Sequence, residues 1–131
     1  MTTQEWIEGY FRAWEEKDAE AAANLFTENS VYRDQPYGDP YHGRDGVRTY
    51  WSGVTATQED VKARFGTAVV AADARRAAVE FWVTMRNGGM DVTLAGILFL
   101  RFGADGLCEE LREAWHFSAD GQLEPPSGWG E

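Results

Sequence analysis

The stretch Ala77–Ser118, AAVEFWVTMRNGGMDVTLAGILFLRFGADGLCEELREAWHFS, decides the fold, because most of it alternates apolar with polar residues. Alternation with a period of two is typical of strands whose two faces differ. Two segments interrupt the alternation, NGGM and GADG, and both have the composition of hairpin turns. We therefore predict an antiparallel meander with strands over Ala77–Arg86, Val92–Phe102 and Leu107–Ser118.

The residues before this stretch predict three helices and one more strand. Thr2 begins a capping box, and apolar residues then recur at helical spacing up to about Lys17. Asp18 can cap a second helix through AEAAANLF, and GRDGVRTYWSGV predicts a third. A short extended piece, Val31–Asp34, lies between those two helices. The period of two returns over Asp60–Ala72, which we predict to be the first long strand.

Helices followed by an antiparallel meander indicate an α+β fold, in which the sheet buries one face under the helices. A chain of 131 residues suits a single domain. We place that domain at residues 1–120. Residues 121–131 include EPPSGWGE, which shows neither the helical spacing nor the alternation of a strand, and we expect them to form an irregular tail.

Charge and composition argue against several classes of protein. The chain has 12 Lys and Arg against 22 Asp and Glu, and its net charge of −10 disfavours nucleic acid and membrane surfaces as partners. The single cysteine, Cys108, excludes an intrachain disulfide, and only His42 and His116 could join it at a metal. No leader is recognisable at the N-terminus, and the longest apolar run, Val92–Leu100, is too short to cross a bilayer. We expect a soluble, cytoplasmic protein with no metal.

Strand alternation places one acid, Glu113, on an apolar face. In the last predicted strand it shares a side with Leu111, Trp115 and Phe117. A carboxylate surrounded by such neighbours should have a raised pKa, which suits proton transfer near neutral pH. The alternative is that Glu113 reaches water at the strand end or pairs with an arginine such as Arg12.

Asp34 is the second candidate acid. It shares the parity of Tyr32 on the short extended piece, and a carboxylate beside a phenol can orient a water molecule or polarise a carbonyl. The alternative is that Asp34, which lies before a Gln-Pro turn, only bonds its own backbone.

The opposite face of the sheet carries an apolar patch. Trp82 on one strand and Ile97 and Phe99 on the next point away from the predicted core. Such patches on small domains mark interfaces, so we expect a homodimer through this outer face. By parity, Cys108 lies on the same face or at its edge.

The order of these segments resembles the nuclear transport factor 2-like superfamily, in particular its SnoaL-like branch. The matching segments are YFRAWEEKDAEAAANLFTENSVYRD, then GRDGVRTYW, then the long-strand meander that ends in LREAWHF. The resemblance spans about Trp6 to His116. It implies a cone-shaped fold, in which a strongly curved antiparallel or mixed sheet wraps around the helices and encloses a deep, mostly apolar pocket. Members use this pocket for different reactions or for binding, so function depends on the pocket residues.

Ketosteroid isomerases of this superfamily carry an aspartate base before the loop proline, a tyrosine on the first helix and an aspartate on the penultimate strand. Here Tyr10 matches the tyrosine, while Gln35 and a position near Leu98 replace the two acids. The resemblance therefore does not imply isomerisation by that mechanism.

Limonene epoxide hydrolases hold a water molecule with a tyrosine and an asparagine on the first strand and an acid on the last. Tyr32 and Glu113 match two of these positions, and Asp34 replaces the asparagine. Their middle strand also supplies an arginine and an aspartate, where this chain has Phe81 and Val83. SnoaL-type cyclases place an acid-base carboxylate late in the chain, a role that Glu113 could take.

We predict a pocket for an apolar or aromatic metabolite, with acid-base chemistry of the isomerase, cyclase or hydratase type. Glu113 is the predicted proton-transfer residue, with Asp34 and Tyr32 positioning substrate or water. No metal or organic cofactor is implied. The alternative is a non-catalytic binding or assembly module. The residues predicted to bind the substrate are Tyr10, Trp14, Gln35, Trp51, Phe81, Val83, Met85, Leu98, Leu111 and Trp115.

Overall fold

The first helix has both of its ends fixed by local chemistry in the computed structural model, which describes residues 1–131. Helix α1, Thr3–Glu16, begins at Thr2, whose hydroxyl accepts a hydrogen bond from the backbone of Glu5. The Glu5 carboxylate accepts one in return from the backbone N–H of Thr2, which completes the predicted capping box. The helix ends at Lys17, whose φ of 56° leaves the helical region.

Two more helices pack beside α1. Helix α2, Ala19–Ala23, is capped by Asp18, whose carboxylate accepts from the Ala21 N–H at 2.9 Å. It is shorter than AEAAANLF predicts, because the carbonyl of Leu25 accepts from the buried indole of Trp6 at 2.7 Å and the chain turns there into a strand. Helix α3, Gly43–Thr55, lies close to the predicted range.

Seven strands form one sheet. The strand order is β2-β1-β7-β6-β5-β3, with β4 pairing to β5, and every pair is antiparallel except β1 with β7, which is parallel. The predicted α+β class, with helices packed in a strongly curved mixed sheet, is confirmed. The strands are β1 Phe26–Arg33, β2 Tyr41–His42, β3 Gln58–Phe65, β4 Val69–Val70, β5 Arg76–Asn87, β6 Met90–Phe102 and β7 Cys108–Ser118.

The predicted strand Asp60–Ala72 is divided into β3 and β4. Between them, the C-terminal tail runs against the backbone, and Thr67 donates to the carbonyl of Gly130 at 2.8 Å. A side chain at Gly66 would bring its Cβ within 2.6 Å of the Cα of Gly130. Only glycine therefore permits this approach, and a regular strand cannot continue through it.

The predicted face of Cys108 is wrong. A register shift in the β6–β7 ladder lies between the pair Arg101–Glu110 and the pair Phe102–Cys108, so one extra residue of β7 interrupts the alternation. Cys108 therefore points inward, is fully buried, and donates from its thiol to the carbonyl of Glu110. Burial raises the pKa of this thiol well above its ordinary value, so Cys108 is a core residue rather than a reactive one.

The core lies between the helices and the inner face of the sheet, which we define as the face toward the helices. Aromatic rings dominate it: Trp6 stacks on Tyr10 with ring centroids 5.1 Å apart, and Phe11 stacks on Phe65 at 5.3 Å. Offset stacking and edge contacts of this kind add to the free energy gained from burying the rings.

The outer face is partly covered by the C-terminal tail. Trp82 is half-buried, because its indole donates to the carbonyl of Leu123 at 2.9 Å and packs edge-on against Trp129 at 6.0 Å. The predicted outer patch is therefore smaller than the sequence indicates, although Ile97 and Phe99 stay exposed. The tail has no helix or strand, and it is docked on the sheet. No helix is long and apolar enough to cross a membrane.

Candidate functional site

A cavity of about 260 Å³ lies between the helices and the inner face of the sheet. Most of its wall is aromatic or aliphatic, and its polar groups are few. Trp115 and Phe117 stand at its mouth, since each keeps about half of its surface exposed although both contribute to the wall. The lining residues are Tyr10, Trp14, Tyr32, Tyr50, Trp51, Val54, Thr55, Gln58, Phe81, Asn87, Val92, Leu94, Glu113, Trp115 and Phe117.

Three polar side chains meet in this cavity. Tyr32 donates to Oε1 of Glu113 at 2.7 Å, and the Tyr10 hydroxyl lies 3.2 Å from the same oxygen. The two tyrosine hydroxyls are also 2.7 Å apart. The three side chains come from three elements: Tyr10 from α1, Tyr32 from β1 and Glu113 from β7. The parallel pairing of β1 with β7, which sets Tyr32 beside Leu111, helps to bring them together.

The protons in this triangle can be counted. With Glu113 ionised, three contacts share only the two tyrosine protons. The two short contacts suit a chain in which Tyr10 donates to Tyr32 and Tyr32 donates to Oε1. The other carboxylate oxygen, Oε2, accepts no hydrogen bond from the protein and is not completely buried, and Glu113 lines the cavity. Oε2 is therefore the atom of the cluster that can exchange a proton with a ligand.

Glu113 has a pKa close to neutrality. Burial raises its pKa from 4.5 to about 7, hydrogen bonds from Tyr32 and then Tyr10 oppose this rise, and the negative charge of Asp34 adds to it. Burial, and then the charge of Glu113, raise the pKa values of Tyr10 and Tyr32 well above their ordinary range. Both tyrosines therefore stay protonated as donors, while Glu113 can act as either acid or base near pH 7.

Arg12 does not pair with Glu113. Arg12 lies on the exposed side of α1, and no ion pair reaches Glu113 from any basic residue. The alternative of an arginine partner therefore does not describe its environment. Hydroxyl groups, not a cation, hold this carboxylate.

Asp34 lies close to the cluster but outside the cavity wall. Its side chain is half-buried, and its carbonyl accepts from the indole of Trp115 at 3.3 Å. The structure therefore ties the loop after β1 to the mouth of the cavity. The influence of the Asp34 carboxylate on Glu113 is electrostatic.

Gln35 does not reach the cavity. Its side-chain oxygen accepts from the backbone N–H groups of Tyr37 at 2.6 Å and Gly38 at 2.8 Å, so it closes the turn at Pro36. A side chain that satisfies its own loop in this way is not available for a ligand.

The other predicted binding residues fall into two groups. Tyr10, Trp14, Trp51, Phe81 and Trp115 line the cavity. The remaining four are packed in the core rather than in the cavity wall. These four residues are Val83, Met85, Leu98 and Leu111.

Several lining residues were not predicted as part of the site. Tyr50 and Val54 share the apolar face of α3 with Trp51, and Phe117 shares the parity of Glu113, so helical and strand periodicity could have found them. Gln58 and Asn87 carry no such signal. They meet because β3 and β5 pair at these two residues.

Gly96 shapes the cavity from the sheet side. It lies between Phe81 and Trp115 in the register of the three central strands. A Cβ at this position would come within 2.8 Å of both of those side chains and 2.3 Å of the carbonyl of Ala114. The absence of a side chain thus lets two wall residues close over the middle strand.

No group of three or more His, Cys, Asp or Glu side chains is arranged to hold a metal ion. The polar groups of the cavity are a carboxylate, hydroxyls and amides, which suit hydrogen bonding and proton transfer.

Comparisons with solved structures agree with this architecture. An epoxide hydrolase/cyclase-like enzyme, SalBIII, described for pyran ring formation in the polyether salinomycin, matches with a TM-score of 0.77 and 23% identity over 88% of this chain and 94% of that one. The Δ5-3-ketosteroid isomerase from Mycobacterium sp. matches at 0.74 and 15% over 88% and 97%. A ketosteroid isomerase-like protein from Catenulispora acidiphila DSM 44928 matches at 0.75 and 18% over 87% and 86%.

Identities this low establish the fold and not the reaction. Sequence comparison with curated proteins gives no match. A family model does match: the SnoaL-like domain, over residues 7–111. The match begins within α1, runs through β6 and ends in the first part of β7, so it includes the first two segments on which the resemblance was based and stops at the first residue of LREAWHF. The chain is a member of the SnoaL-like domain family.

Proposed function

We propose that this protein is an acid-base catalyst that moves a proton on a neutral, apolar or aromatic metabolite bound in the cavity. The observation that carries the proposal is the Glu113 cluster: Glu113 lines the cavity, tyrosines anchor one of its carboxylate oxygens, and the other accepts no hydrogen bond from the protein. Desolvation brings the pKa of Glu113 to about 7, where an acid-base group works best at neutral pH. The reaction belongs to the isomerase, cyclase or hydratase type and needs no cofactor.

The proton transfer itself is simple. Oε2 of ionised Glu113 takes a proton from a substrate carbon beside a carbonyl group, so the C–H bond breaks and its electron pair moves toward the carbonyl oxygen. The same carboxylic acid then returns the proton to another carbon of the enolate, which completes an isomerisation. In a ring closure the enolate carbon first forms a bond to a second carbonyl carbon of the same substrate, the C=O π bond breaks, and the acid protonates the resulting alkoxide. Tyr32 and Tyr10 keep the carboxylate in one orientation throughout, because their raised pKa values prevent them from losing their own protons.

The cavity limits the substrate. Its volume of about 260 Å³ is slightly below the usual range of drug-sized sites, so it favours a compact ring system. The indoles of Trp14, Trp51 and Trp115 suit flat, apolar rings. A negatively charged group beside Glu113 and Asp34 would be repelled, which favours a neutral molecule.

Structural neighbours described as a cyclase-like enzyme and an isomerase support this class of reaction. The rival proposal is a non-catalytic binding module, which expects an arginine to neutralise Glu113. The lack of such a partner favours the catalytic proposal.

The test is deuterium exchange. A panel of neutral cyclic ketones, which includes 2-tetralone, is incubated with the protein in D₂O, and loss of the proton signals beside the carbonyl is followed by NMR. We expect exchange above the buffer rate for at least one ketone, lost in Glu113→Gln and kept in Glu59→Gln, a control at an exposed glutamate. Exchange at the buffer rate across the panel, or equal exchange in Glu113→Gln, would refute the proposal.

The protein is further proposed to form a homodimer through the outer face. Three exposed apolar side chains, Val69, Val70 and Phe99, line a groove on this face, and Ile97 is exposed two residues before Phe99 on β6. We expect a dimer mass in light scattering after gel filtration, and a monomer mass for Phe99→Glu. A wild-type monomer would contradict this part of the proposal.

A further inference from the structure

The orientation of one buried amide at the cavity, that of Gln58, follows from its neighbour. The Trp14 indole N–H is a donor only, and it lies 2.8 Å from Oε1 of Gln58. The amide of Gln58 must therefore present its oxygen to Trp14. Its NH₂ group must therefore point the other way.

This NH₂ group has no partner in the protein. Gln58 keeps only 5% of its surface exposed, it lines the cavity, and it makes no other side-chain hydrogen bond. The nitrogen is not completely buried, and Gln58 lines the cavity, so a ligand there can reach it. A nearly buried donor without an acceptor is costly unless something in the cavity accepts from it.

Gln58 lies at a different part of the cavity from Glu113. In the register of the sheet, Glu113 pairs with Leu98, and Leu98 pairs with Val79 near the start of β5. Gln58 pairs with Asn87, the last residue of β5, so the two sites lie near opposite ends of that strand. The aromatic wall lies between these two sites: the Trp51 ring contacts both the Tyr10 ring and the Trp14 ring.

We propose that the Gln58 NH₂ group binds a neutral carbonyl oxygen of the ligand, at the end of the cavity away from Glu113, and so sets which part of the ligand faces the carboxylate. This inference rests on the proposed function only in that the cavity binds a small molecule. The ligand class is a compact aromatic or alicyclic compound with a ketone, lactone or amide oxygen. Trp14 acts as a positioning residue, because its N–H keeps the amide from turning over.

The test compares two probes of nearly the same shape, 2-tetralone and tetralin, which differ in the carbonyl oxygen. Their affinities are measured by quenching of tryptophan fluorescence, since three tryptophans line the cavity. The variant Gln58→Glu keeps an acceptor for Trp14 but replaces the NH₂ donor with a second oxygen. We expect wild type to prefer the ketone, and we expect Gln58→Glu to lose that preference by about tenfold with tetralin binding unchanged.

Three controls keep the result decisive. Trp14→Phe should reduce the preference for the ketone, because the amide can then turn over. Glu59→Gln, a change at an exposed glutamate outside the cavity wall, should keep it. If Gln58→Glu does not fold, Gln58→Met replaces it, with the same expected loss. A wild-type protein with no preference for the ketone, or a preference that survives in the Gln58 variant, would overturn the inference. If the wild type shows no deuterium exchange above the buffer rate but the Gln58 variant still loses the preference for the ketone, only the proposed role of Glu113 is refuted.

Discussion

Replacing Glu113 with glutamine should make the protein more stable at high pH, and the size of the effect follows from the site. The folded-state pKa of about 7, against an ordinary value of 4.5, is a rise of 7 − 4.5 = 2.5 units. At about 1.4 kcal/mol per unit, this corresponds to about 3 kcal/mol. Glutamine is neutral at every pH and can still offer an oxygen to Tyr32.

The sign of the effect depends on which state holds the proton. Between pH 4.5 and about 7 the folded protein keeps the Glu113 proton while the unfolded chain has lost it. The contribution of Glu113 to the free energy of unfolding of the wild type is therefore greatest below pH 4.5, falls between pH 4.5 and about 7, and stays low above that range. The difference in free energy of unfolding between Glu113→Gln and wild type should thus rise by about 3 kcal/mol from about pH 4 to about pH 8.

Urea unfolding of both proteins, followed by tryptophan fluorescence across this pH range, measures that difference. Subtracting the two curves removes the contributions of the other acids, which are common to both. Glu59→Gln serves as the control, because its side chain is exposed and its difference from wild type should stay flat. A difference between Glu113→Gln and wild type that does not change with pH would refute the claim that burial raises the pKa of this carboxyl group.

Three further changes test the rest of the site and the fold. Tyr32→Phe removes the 2.7 Å hydrogen bond to Glu113 and should raise its pKa by about one unit or more, measured by NMR titration; an unchanged pKa would contradict the role of the hydroxyl. Gly96→Ala should destabilise the protein by roughly 1–3 kcal/mol, because its Cβ has no room. The control is Gly53→Ala on α3, where a Cβ has open space; it should be neutral or stabilising by up to about 1 kcal/mol. Equal changes in stability for Gly96→Ala and Gly53→Ala would contradict the claim that Gly96 is required by packing. Deleting residues 121–131 should shift the tryptophan emission to the red and cost about 2 kcal/mol, since the tail covers one outer tryptophan; an unchanged spectrum would show that it does not dock.

The fold could be predicted because its signals are periodic. Alternation in the last three long strands and helical spacing before them gave the class and the approximate limits of most elements. The predictions were wrong at two places, where an irregularity in strand pairing or a contact with a distant segment interrupted the local pattern. A single extra residue in β7 turned Cys108 inward, and the tail that crosses at Gly66 divided the first long strand.

The site was predictable in part for the same reason. Parity placed Glu113 on the apolar face and singled out Tyr32 beside Asp34, and the resemblance matched both Tyr10 and Tyr32. In the structure both tyrosines contact Glu113. Asp34 and Gln35 could not be separated from a turn by sequence alone, because Asp and Gln side chains bond a loop backbone as readily as a ligand. Gln58 gave no signal at all. Its position depends on the pairing of β3 with β5 and on the reach of an indole from α1, and neither is local in sequence.

The central claim is that the protein holds Glu113 in the cavity with a pKa near neutrality. The most direct test is a ¹³C NMR titration of the Glu113 side-chain carboxyl, assigned by comparison with Glu113→Gln. The structure predicts a midpoint of about 7, well separated from those of exposed glutamates. A midpoint at the ordinary value of 4.5 would contradict the claim, and with it the proposed proton transfer.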